Sequence, residues 1–354
     1  MTVAVLTSGV ALGVHVPGLL LARRLAEVGV RARVDVVERH LPERERGLIP
    51  AAKAAFHRDF RVALAGQRLA ARNSVGLVED SVAELMARWA ADDVDLLVVL
   101  SGFWLPTAHR YAAAHAGVRV HACHVDSVAS PSFTSSGGGG GHPGAHEDIW
   151  LLQERDGGVA RTIPVSREAA LSWGERTGRL LAHGGGWGMG TYRAHAAELA
   201  RAGFAVDVVA YERGDVPDER GRDRYFMIDP DWQPWHDPGF PPFGQIADDG
   251  RVEFTRGVDH HDGFHLTRAA VAVVSKPGGG TLMDSLSSAT PVVLLEPFGA
   301  HEARNARLWV RLGFGIAHDD WVRAGRSLDV LESLHRNILA ARPRALSYAD
   351  QLAH

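Results

Sequence analysis

Residues 271–315 read VAVVSKPGGGTLMDSLSSATPVVLLEPFGAHEARNARLWVRLGFG. The Val-rich run at 271–274 is too short for a core helix and predicts a buried strand. Proline and three glycines at 277–280 then break the strand and let the backbone approach another group closely. Thr281 is placed to cap the helix that follows, and the free N–H groups of such a helix end attract anions, phosphate above all. Glycine turns that bind nothing are also common, so the turn alone leaves both interpretations open.

Polar residues at fixed distances from this turn favour a ligand site. Asp284 lies three residues after Thr281, one turn into the predicted helix and on the same face. His301, Glu302 and Asn305 follow the next predicted strand, and the carboxyl ends of strands are where open parallel sheets bind ligands.

The whole pattern resembles the donor-binding half of the GT-B glycosyltransferases, the group that includes MurG and the UDP-glycosyltransferases. Their pattern is a Gly-x-x-Thr turn, an acid three residues later, a Gly-x-Pro before a strand, a polar pair and Asn-Ala. The matching residues here are Gly278, Gly279, Gly280, Thr281, Asp284, Thr290-Pro291, His301-Glu302, Asn305-Ala306, Gly313 and Gly315. Three positions depart from the family: Asp284 stands where Glu is usual, Ala289 replaces a glycine, and His301-Glu302 replaces Asp-Gln or Gln-Gln.

The resemblance implies a role for each matched position. The turn and the helix end would hold a diphosphate, Asp284 the ribose hydroxyls, and His301 with Glu302 the donor sugar. Asn305 belongs to the same donor site. A uronate sugar would need a cation near Glu302, which Lys276 or Arg304 can supply.

A second glycine turn follows a strand predicted at 179–182. It reads HGGGWGMG over residues 183–190 and does not fit the dinucleotide-binding G-x-G-x-x-G spacing. In the resembled family a glycine loop at this position faces the diphosphate, so Gly186, Trp187, Gly188 and Met189 are further donor-site candidates. Val258, after a strand predicted at 251–255, is the corresponding candidate for contact with the nucleotide base.

The first loop of the chain offers a candidate base. It reads Gly13-Val14-His15-Val16-Pro17, which places the histidine two residues before proline, whereas the resembled family has it three before. A neutral imidazole suits the deprotonation of an acceptor, but His15 can equally cap the helix or line a cleft.

Further acceptor-site candidates follow the strands of the first half. Phe103 and Trp104 follow the strand predicted at 95–100. Their rings either stack on an acceptor or pack against the rest of the domain. His124 and Asp126 are second-choice candidates for acceptor binding or for the base, and they stand in a loop over 123–146. The same loop carries five glycines at 137–141 and is interpreted as a lid, an acceptor loop or a connector.

Composition narrows the class of protein. The 354 residues are 46% hydrophobic and 23% charged, with a net charge of −4, which gives no general attraction to nucleic acid or anionic membrane. A single cysteine excludes an internal disulfide framework, and no apolar stretch is long enough to span a bilayer. Met1 leads into a strand-like run without a basic segment, so we expect no signal peptide and a cytoplasmic protein. Abundant Ala, Arg and Gly suggest a bacterial source.

The expected fold is α/β, of the GT-B class, with two Rossmann-like domains facing each other across a cleft. The predicted acceptor domain covers 1–160, the linker 161–176 and the nucleotide-sugar domain 177–340, while 341–354 returns to the first domain. One long helix is predicted over 51–71. Residues 225–246 are rich in aromatic side chains and show no helical or strand period, so they are predicted to form an ordered insertion.

Metal chemistry is set aside. His260, His261, Asp262 and His265 resemble a ligand cluster, and Asp-x-Asp occurs at 93–95 and 229–231. However, the resembled family uses no metal, and two-carboxylate patterns arise often by chance.

The sequence therefore predicts an inverting glycosyltransferase that needs neither metal nor cofactor. The donor is expected to be a nucleotide sugar, with UDP favoured over TDP, and the acceptor a small natural product of an antibiotic-type pathway. A nucleobase acceptor, as in cytosylglucuronate synthase, is one candidate. A nucleotide-sugar 2-epimerase of the same fold and a non-catalytic nucleotide-sugar sensor remain alternatives.

Overall fold

The computed structural model describes residues 1–70, 76–135 and 145–353, with side chains described except at 67–70 and 135. The five glycines at 137–141, and with them the question of a lid or a connector, lie outside the described residues. Among the helices of the described ranges, none combines the length and apolar character that crossing a bilayer requires.

The first half of the molecule is built on a five-stranded, all-parallel sheet in the order β2-β1-β3-β4-β5. Its strands are β1 (Thr2–Thr7), β2 (Arg31–Val36), β3 (Leu96–Val99), β4 (Arg119–His124) and β5 (Glu147–Trp150). Its helices are α1 (Leu12–Glu27), α2 (Glu43–Arg58), α3 (Phe60–Ala70), α4 (Glu79–Ala91), α5 (Leu105–Ala114) and α6 (Pro131–Ser135). Every residue of β1 and β3 is buried, because helices cover both faces of a parallel sheet.

Short strands then lead into the second half. They are β6 (Glu154–Arg155), β7 (Gly158–Val159) and β8 (Arg161–Thr162). The predicted linker thus contains β8 and a 3-10 turn at Trp173–Glu175.

The second half is built on a seven-stranded sheet in the order β12-β11-β10-β9-β13-β14-β15. Its strands are β9 (Leu180–His183), β10 (Val206–Ala210), β11 (Arg224–Ile228), β12 (Phe243–Ile246), β13 (Ala272–Ser275), β14 (Val292–Leu294) and β15 (Gly315–Ala317). Its helices are α7 (Tyr192–Arg201), α8 (Gly263–Ala269), α9 (Gly279–Ser288), α10 (Ala300–Arg311), α11 (His318–Arg323) and α12 (Leu328–Ala341). Six strands are parallel, and β12 runs antiparallel to β11.

The chain then crosses back to the first half. Strand β16 (Leu346–Ser347) pairs with β8, and α13 (Tyr348–Leu352) packs against α1. The buried Tyr348 hydroxyl lies 2.8 Å from Nδ1 of His121 on β4, which fastens the last helix to the first sheet.

The predicted α/β fold of two parallel sheets is confirmed, and four local predictions are wrong. The helix predicted at 51–71 breaks at Asp59, where the backbone is extended. Oδ1 of Asp59 accepts from the N–H groups of Arg61 and Val62, and a new helix starts there. Residues 225–246 are ordered and packed as predicted, with Trp232 and Trp235 buried, but the ends of the stretch are strands β11 and β12. Strand β11 shows no period because Phe226 and its neighbours are buried on both faces. Residues 251–255 form only isolated bridges.

The fourth wrong prediction concerns the cap of α9. The helix begins at Gly279 with Gly278 as its N-cap, so Thr281 is the third helical residue and does not cap it.

Helix α2 fastens the two halves together. His57 is buried, with Nδ1 2.8 Å from the carbonyl oxygen of Gly188 and Nε2 3.0 Å from Oδ1 of Asp215. The neighbouring Phe56 stacks on Trp187 with ring centroids 5.4 Å apart. Burial alone would raise the pKa of Asp215, but hydrogen bonds from His57 and two backbone N–H groups lower it to about 2. The Asp215 carboxylate is therefore strongly favoured in the folded state.

The depressed pKa predicts an acid-sensitive contact. Asp215 stabilises the fold above pH 4, where the unfolded carboxyl is ionised, and this contribution disappears as the pH falls towards 2. Asp215→Asn should lower the free energy of unfolding at pH 7 by about 1–2 kcal/mol and flatten the stability loss between pH 4 and 2. Denaturant unfolding at several pH values measures both effects. Asp248→Asn, at an exposed carboxylate, is the control; equal behaviour of the two variants contradicts the prediction.

Candidate active site in the cleft between the two halves

A cavity of about 490 Å³ lies between the two sheets. The first half contributes the loop after β1, Phe103, and the residues that follow β4. The second half contributes both glycine turns, the start of α9 and the start of α10. This volume is in the range of small-molecule sites, and its position at the carboxyl ends of parallel strands is where such sheets bind ligands.

The first glycine turn lines the cavity with Gly278, Gly279, Gly280 and Thr281. No side chain in the described part of the chain caps α9, so its first N–H groups remain available at the cavity wall. The structure therefore offers an anion-binding helix end there.

The halves approach so closely that the turn requires glycine. A Cβ on Gly279 would lie 2.5 Å from the carbonyl oxygen of Val125 and 3.0 Å from Oδ1 of Asp126. A Cβ on Gly280 would lie 3.6 Å from Cα of Gly13, which is an ordinary contact. Only the first of these positions excludes a side chain on steric grounds.

The second glycine turn makes a similar approach. A Cβ on Gly186 would overlap Leu12 at 2.3 Å, and the indole N–H of Trp187 donates to the carbonyl oxygen of Val10. Gly186, Trp187 and Met189 line the cavity, whereas Gly188 does not. Gly188 instead has left-handed backbone at φ 57° and presents its carbonyl to His57.

Asp284 faces the cavity with a histidine partner. His261 Nε2 lies 3.1 Å from Asp284 Oδ1, and both residues line the cavity. Burial lowers the pKa of His261, but the Asp284 carboxylate outweighs it and the net pKa is raised. His183 also lines the cavity, where burial lowers its pKa to about 4.

His183 and His261 were missed as components of this site. His183 precedes the second turn directly, a position that indicates proximity to the cavity. His261 was considered only as a metal ligand, and its pairing with Asp284 depends on the packing of α8 against α9. The described residues form two clusters with metal-ligand geometry, and neither contains His260, His261 or His265.

His301 and Glu302, at the start of α10, lie in different surroundings. His301 lines the cavity. Glu302 also borders it, but the side chain is buried, with Oε1 2.5 Å from Nζ of Lys276 and Oε2 accepting from the N–H of Phe298 at 2.6 Å. The Lys276 charge is therefore matched by a carboxylate beside the cavity.

Asn305 is fully buried and does not line the cavity. Its Nδ2 donates to Asp126 Oδ1 at 2.7 Å and to the carbonyl of Pro277 at 3.0 Å, and its Oδ1 accepts from the N–H of Ser127 at 2.8 Å. The amide thus bridges the two halves.

Asp126 is the first-half carboxylate that reaches the cavity. It is 8% exposed and sits where β4 ends, against the first glycine turn. Burial raises its pKa, although His301 and the hydrogen bond from Asn305 oppose that rise. A carboxylate with a raised pKa is a better proton acceptor than an ordinary aspartate.

His15 does not line the cavity. It is 1% exposed, inside the first turns of α1, with Nδ1 3.0 Å from Oγ1 of Thr7 and its ring 6.1 Å from that of Trp232. Burial, followed by the charges of Arg39 and Lys53, lowers its pKa to about 3. His15 therefore stands at a different distance from Pro17 than in the resembled family, and its imidazole points into the protein interior.

The remaining candidates separate in the same way. Phe103 lines the cavity, whereas Trp104 is buried in the core and donates to the carbonyl of Thr7 at 2.8 Å. His124 stacks on Trp150 at 3.9 Å, outside the lining. Val258 is 80% exposed and does not line the cavity.

A buried acid that the sequence analysis missed orders the first loop. Glu38 follows β2 and is 2% exposed. It accepts from the Ser8 hydroxyl at 2.6 Å and from the N–H groups of Gly9 at 2.7 Å and Val10 at 3.0 Å. Glu38 therefore shapes the loop that forms one wall of the cavity, and its only sequence signal is an acid directly after a buried strand.

The chain has the GT-B glycosyltransferase fold, as the sequence resemblance predicted. SsfS6 of Streptomyces sp. SF2575 aligns over 99% of both chains with a TM-score of 0.55 at 16% identity. MurG of Acinetobacter baumannii aligns over 99% of this chain and 97% of its own, with a TM-score of 0.52 at 12% identity. SnogD of Streptomyces nogalater aligns over 100% and 98%, with a TM-score of 0.52 at 15% identity. No protein-family model and no curated protein matches the sequence.

The contrast between the two glycines generates a matched pair of variants. Gly279→Ala should lower the free energy of unfolding by about 1–3 kcal/mol, since its methyl meets a backbone oxygen that cannot move freely. Gly280→Ala should be neutral or stabilise by about 0.5–1 kcal/mol, because it adds helix propensity without a clash. Thermal and urea unfolding of both proteins measure the difference. Equal stability of the two variants would contradict the close approach of the halves.

Proposed function

We propose that the protein is a glycosyltransferase that moves a sugar from a pyrimidine nucleoside diphosphate to a small acceptor. The observation that carries the proposal is the convergence of two glycine turns and an uncapped helix end on one cavity between two Rossmann-like sheets. The backbone N–H groups at 279–281 bind the diphosphate, and the second turn, which follows the neighbouring strand β9, lies beside them. The reaction is metal-independent, because these N–H groups, at the positive end of a helix, supply the potential that the leaving diphosphate needs.

The nucleoside lies beside the Asp284–His261 pair. Asp284 accepts from a ribose hydroxyl, and His261 holds its carboxylate in place from the other side. Among the similar structures, SsfS6 and SpnG were each solved with thymidine diphosphate and VinC with dTDP. These complexes support TDP as a donor nucleotide beside the UDP expected from the sequence.

Transfer is a single displacement with inversion. The acceptor nucleophile forms a bond to the anomeric carbon while the bond from that carbon to the β-phosphate oxygen breaks. The electron pair leaves with the diphosphate, and the acceptor proton passes to the base. Asp126 is the proposed base, because it is the first-half carboxylate that borders both the cavity and the diphosphate turn.

The acceptor lies against the first half. Val10, Leu12, Phe56 and Phe103 make that wall largely apolar, which suits a flat or aromatic natural product. A nucleobase, as in a cytosylglucuronate synthase, fits the same wall. However, Lys276 is already paired with Glu302 and Arg304 is exposed, so an uncharged sugar is favoured over a uronate.

The activity can be tested directly. Incubation with UDP- and TDP-sugars and a panel of aromatic and nucleobase acceptors should give a glycosylated product and free nucleoside diphosphate by mass spectrometry, without added metal and in the presence of EDTA. Interconversion of the donor without acceptor indicates a 2-epimerase. A thermal shift with nucleotide but no turnover indicates a sensor.

The identity of the base has its own test. Asp126→Asn keeps an oxygen for the Asn305 hydrogen bond, so it should reduce kcat by about 10²–10⁴-fold and change nucleotide affinity little. His15→Ala should mainly reduce stability, because His15 is buried outside the cavity. Steady-state kinetics and nucleotide titration calorimetry separate these effects. Normal kcat in Asp126→Asn with lost turnover in a folded His15→Ala protein would assign the base to His15.

A further inference from the structure

Two helices of the second half bring three potential metal ligands together, away from the cleft. His195 and Glu198 lie three residues apart on one face of α7, and His318 is the first residue of α11. Their ligand atoms all lie within 4.8 Å of one another, and none of the three lines the cavity. The cluster therefore needs an explanation separate from the proposed transfer reaction.

The two imidazoles are incompletely satisfied. His195 Nδ1 and His318 Nε2 are buried atoms without a hydrogen-bond partner among the described residues. Both face the same oxygen, Glu198 Oε2, at 3.5 Å and 4.0 Å respectively. The His318 side chain is only 9% exposed. Buried nitrogen atoms without a partner are costly, and two of them aimed at one carboxylate oxygen make an arrangement that a bound cation would satisfy.

The surrounding residues orient the ligands. Asp319 Oδ1 lies 3.3 Å from Nδ1 of His318, which leaves the lone pair of Nε2 directed at the cluster. Arg326 donates to the other oxygen of Glu198, Oε1, and thereby leaves Oε2 free to face the histidines. A carboxylate behind a ligating histidine is the usual outer support of a protein zinc site.

The second cluster of similar composition lacks these features. It contains His57, Glu212 and Asp215, but both ring nitrogens of His57 already have partners and Asp215 also pairs with Arg193. That cluster is explained by the contact between the two halves.

We propose that His195 Nδ1, His318 Nε2 and Glu198 Oε2 bind one divalent transition-metal ion of the zinc class, with water in the fourth position. Imidazole and carboxylate are zinc ligands, and tetrahedral Zn²⁺ with bonds of about 2.0–2.2 Å sets its ligand atoms about 3.4 Å apart. Small side-chain rotations bring the three atoms to that spacing. Glu198 is 37% exposed, so the water position opens to solvent and gives the ion a path of entry.

The ion acts on stability. It joins α7 to α11, two helices separated by the 116 residues 202–317 of the chain, and metal binding to the folded state adds to its stability.

The test uses the full-length protein without an affinity tag, stripped with EDTA and dialysed. Titration with ZnCl₂ by calorimetry should show one tight site, Zn²⁺ should raise Tm, and Co²⁺ should give the visible absorption of a tetrahedral complex. His318→Ala and Glu198→Gln should weaken this site by more than about 100-fold, and Asp319→Asn by about 10–100-fold. Glu198→Gln keeps the side-chain shape and an oxygen for Arg326, so it remains informative if His318→Ala unfolds.

His236→Ala is the control, because this histidine is exposed and belongs to neither cluster. It should bind Zn²⁺ like the wild type. The proposal is overturned if the wild-type protein binds no stoichiometric Zn²⁺ or if Glu198→Gln binds it with unchanged affinity. Glycosyl transfer should continue in the metal-free protein, so failure of the metal site and failure of the proposed enzyme activity are distinguishable.

Discussion

The close approach of one backbone to another across the cleft is the constraint on which the site depends. The carbonyl of Val125 lies where a Cβ on Gly279 would have to be, so the end of β4 rests directly on the start of α9. The same approach places Asp126 beside the helix end and lets Asn305 hydrogen-bond to both halves. A side chain at Gly279 would separate these elements, and with them the two walls of the cavity.

The acids of the cavity are each matched by a partner, and this determines its electrostatic character. Asp284 faces His261, and Glu302 faces Lys276. Asp126 receives a hydrogen bond from Asn305, and Asp262 receives one from the Thr255 hydroxyl. Because the carboxylates are matched, the N–H groups of the α9 terminus are left as donors for a negatively charged ligand. The proposed diphosphate binding and the proposed carboxylate base, Asp126, are therefore compatible in one small cavity.

The second glycine turn connects the cleft to the rest of the second half. The turn leads into α7, the helix that carries His195 and Glu198, while Gly188 at its centre accepts from His57 of the first half. The proposed metal would hold α7 against α11, away from the cavity. The contact with His57 therefore holds the turn against the first half, and the packing of α7 holds its other end.

Much of the fold could be read from the sequence because its causes are local. Valine-rich runs form strands, glycines permit sharp turns, and the spacing from Gly278 to Asp284 follows from helix geometry. These features indicated the strand–turn–helix units, and the family resemblance that they carry implied the GT-B fold. Asp126, Asp284 and His301, which the sequence analysis named as candidates, all line the cavity. The period of β11 was hidden because both of its faces are buried.

Tertiary structure alone decided which side chains meet. His15 and Trp104 turn into the core, Asn305 spans the halves, and Glu38 orders a loop that lies about thirty residues before it in the chain. Sequence spacing predicts which residues share a helix face or a strand end, because those relations are set by local backbone geometry. It cannot predict partners brought together by the packing of distant segments, since that depends on how both sheets and their helices fill space at once.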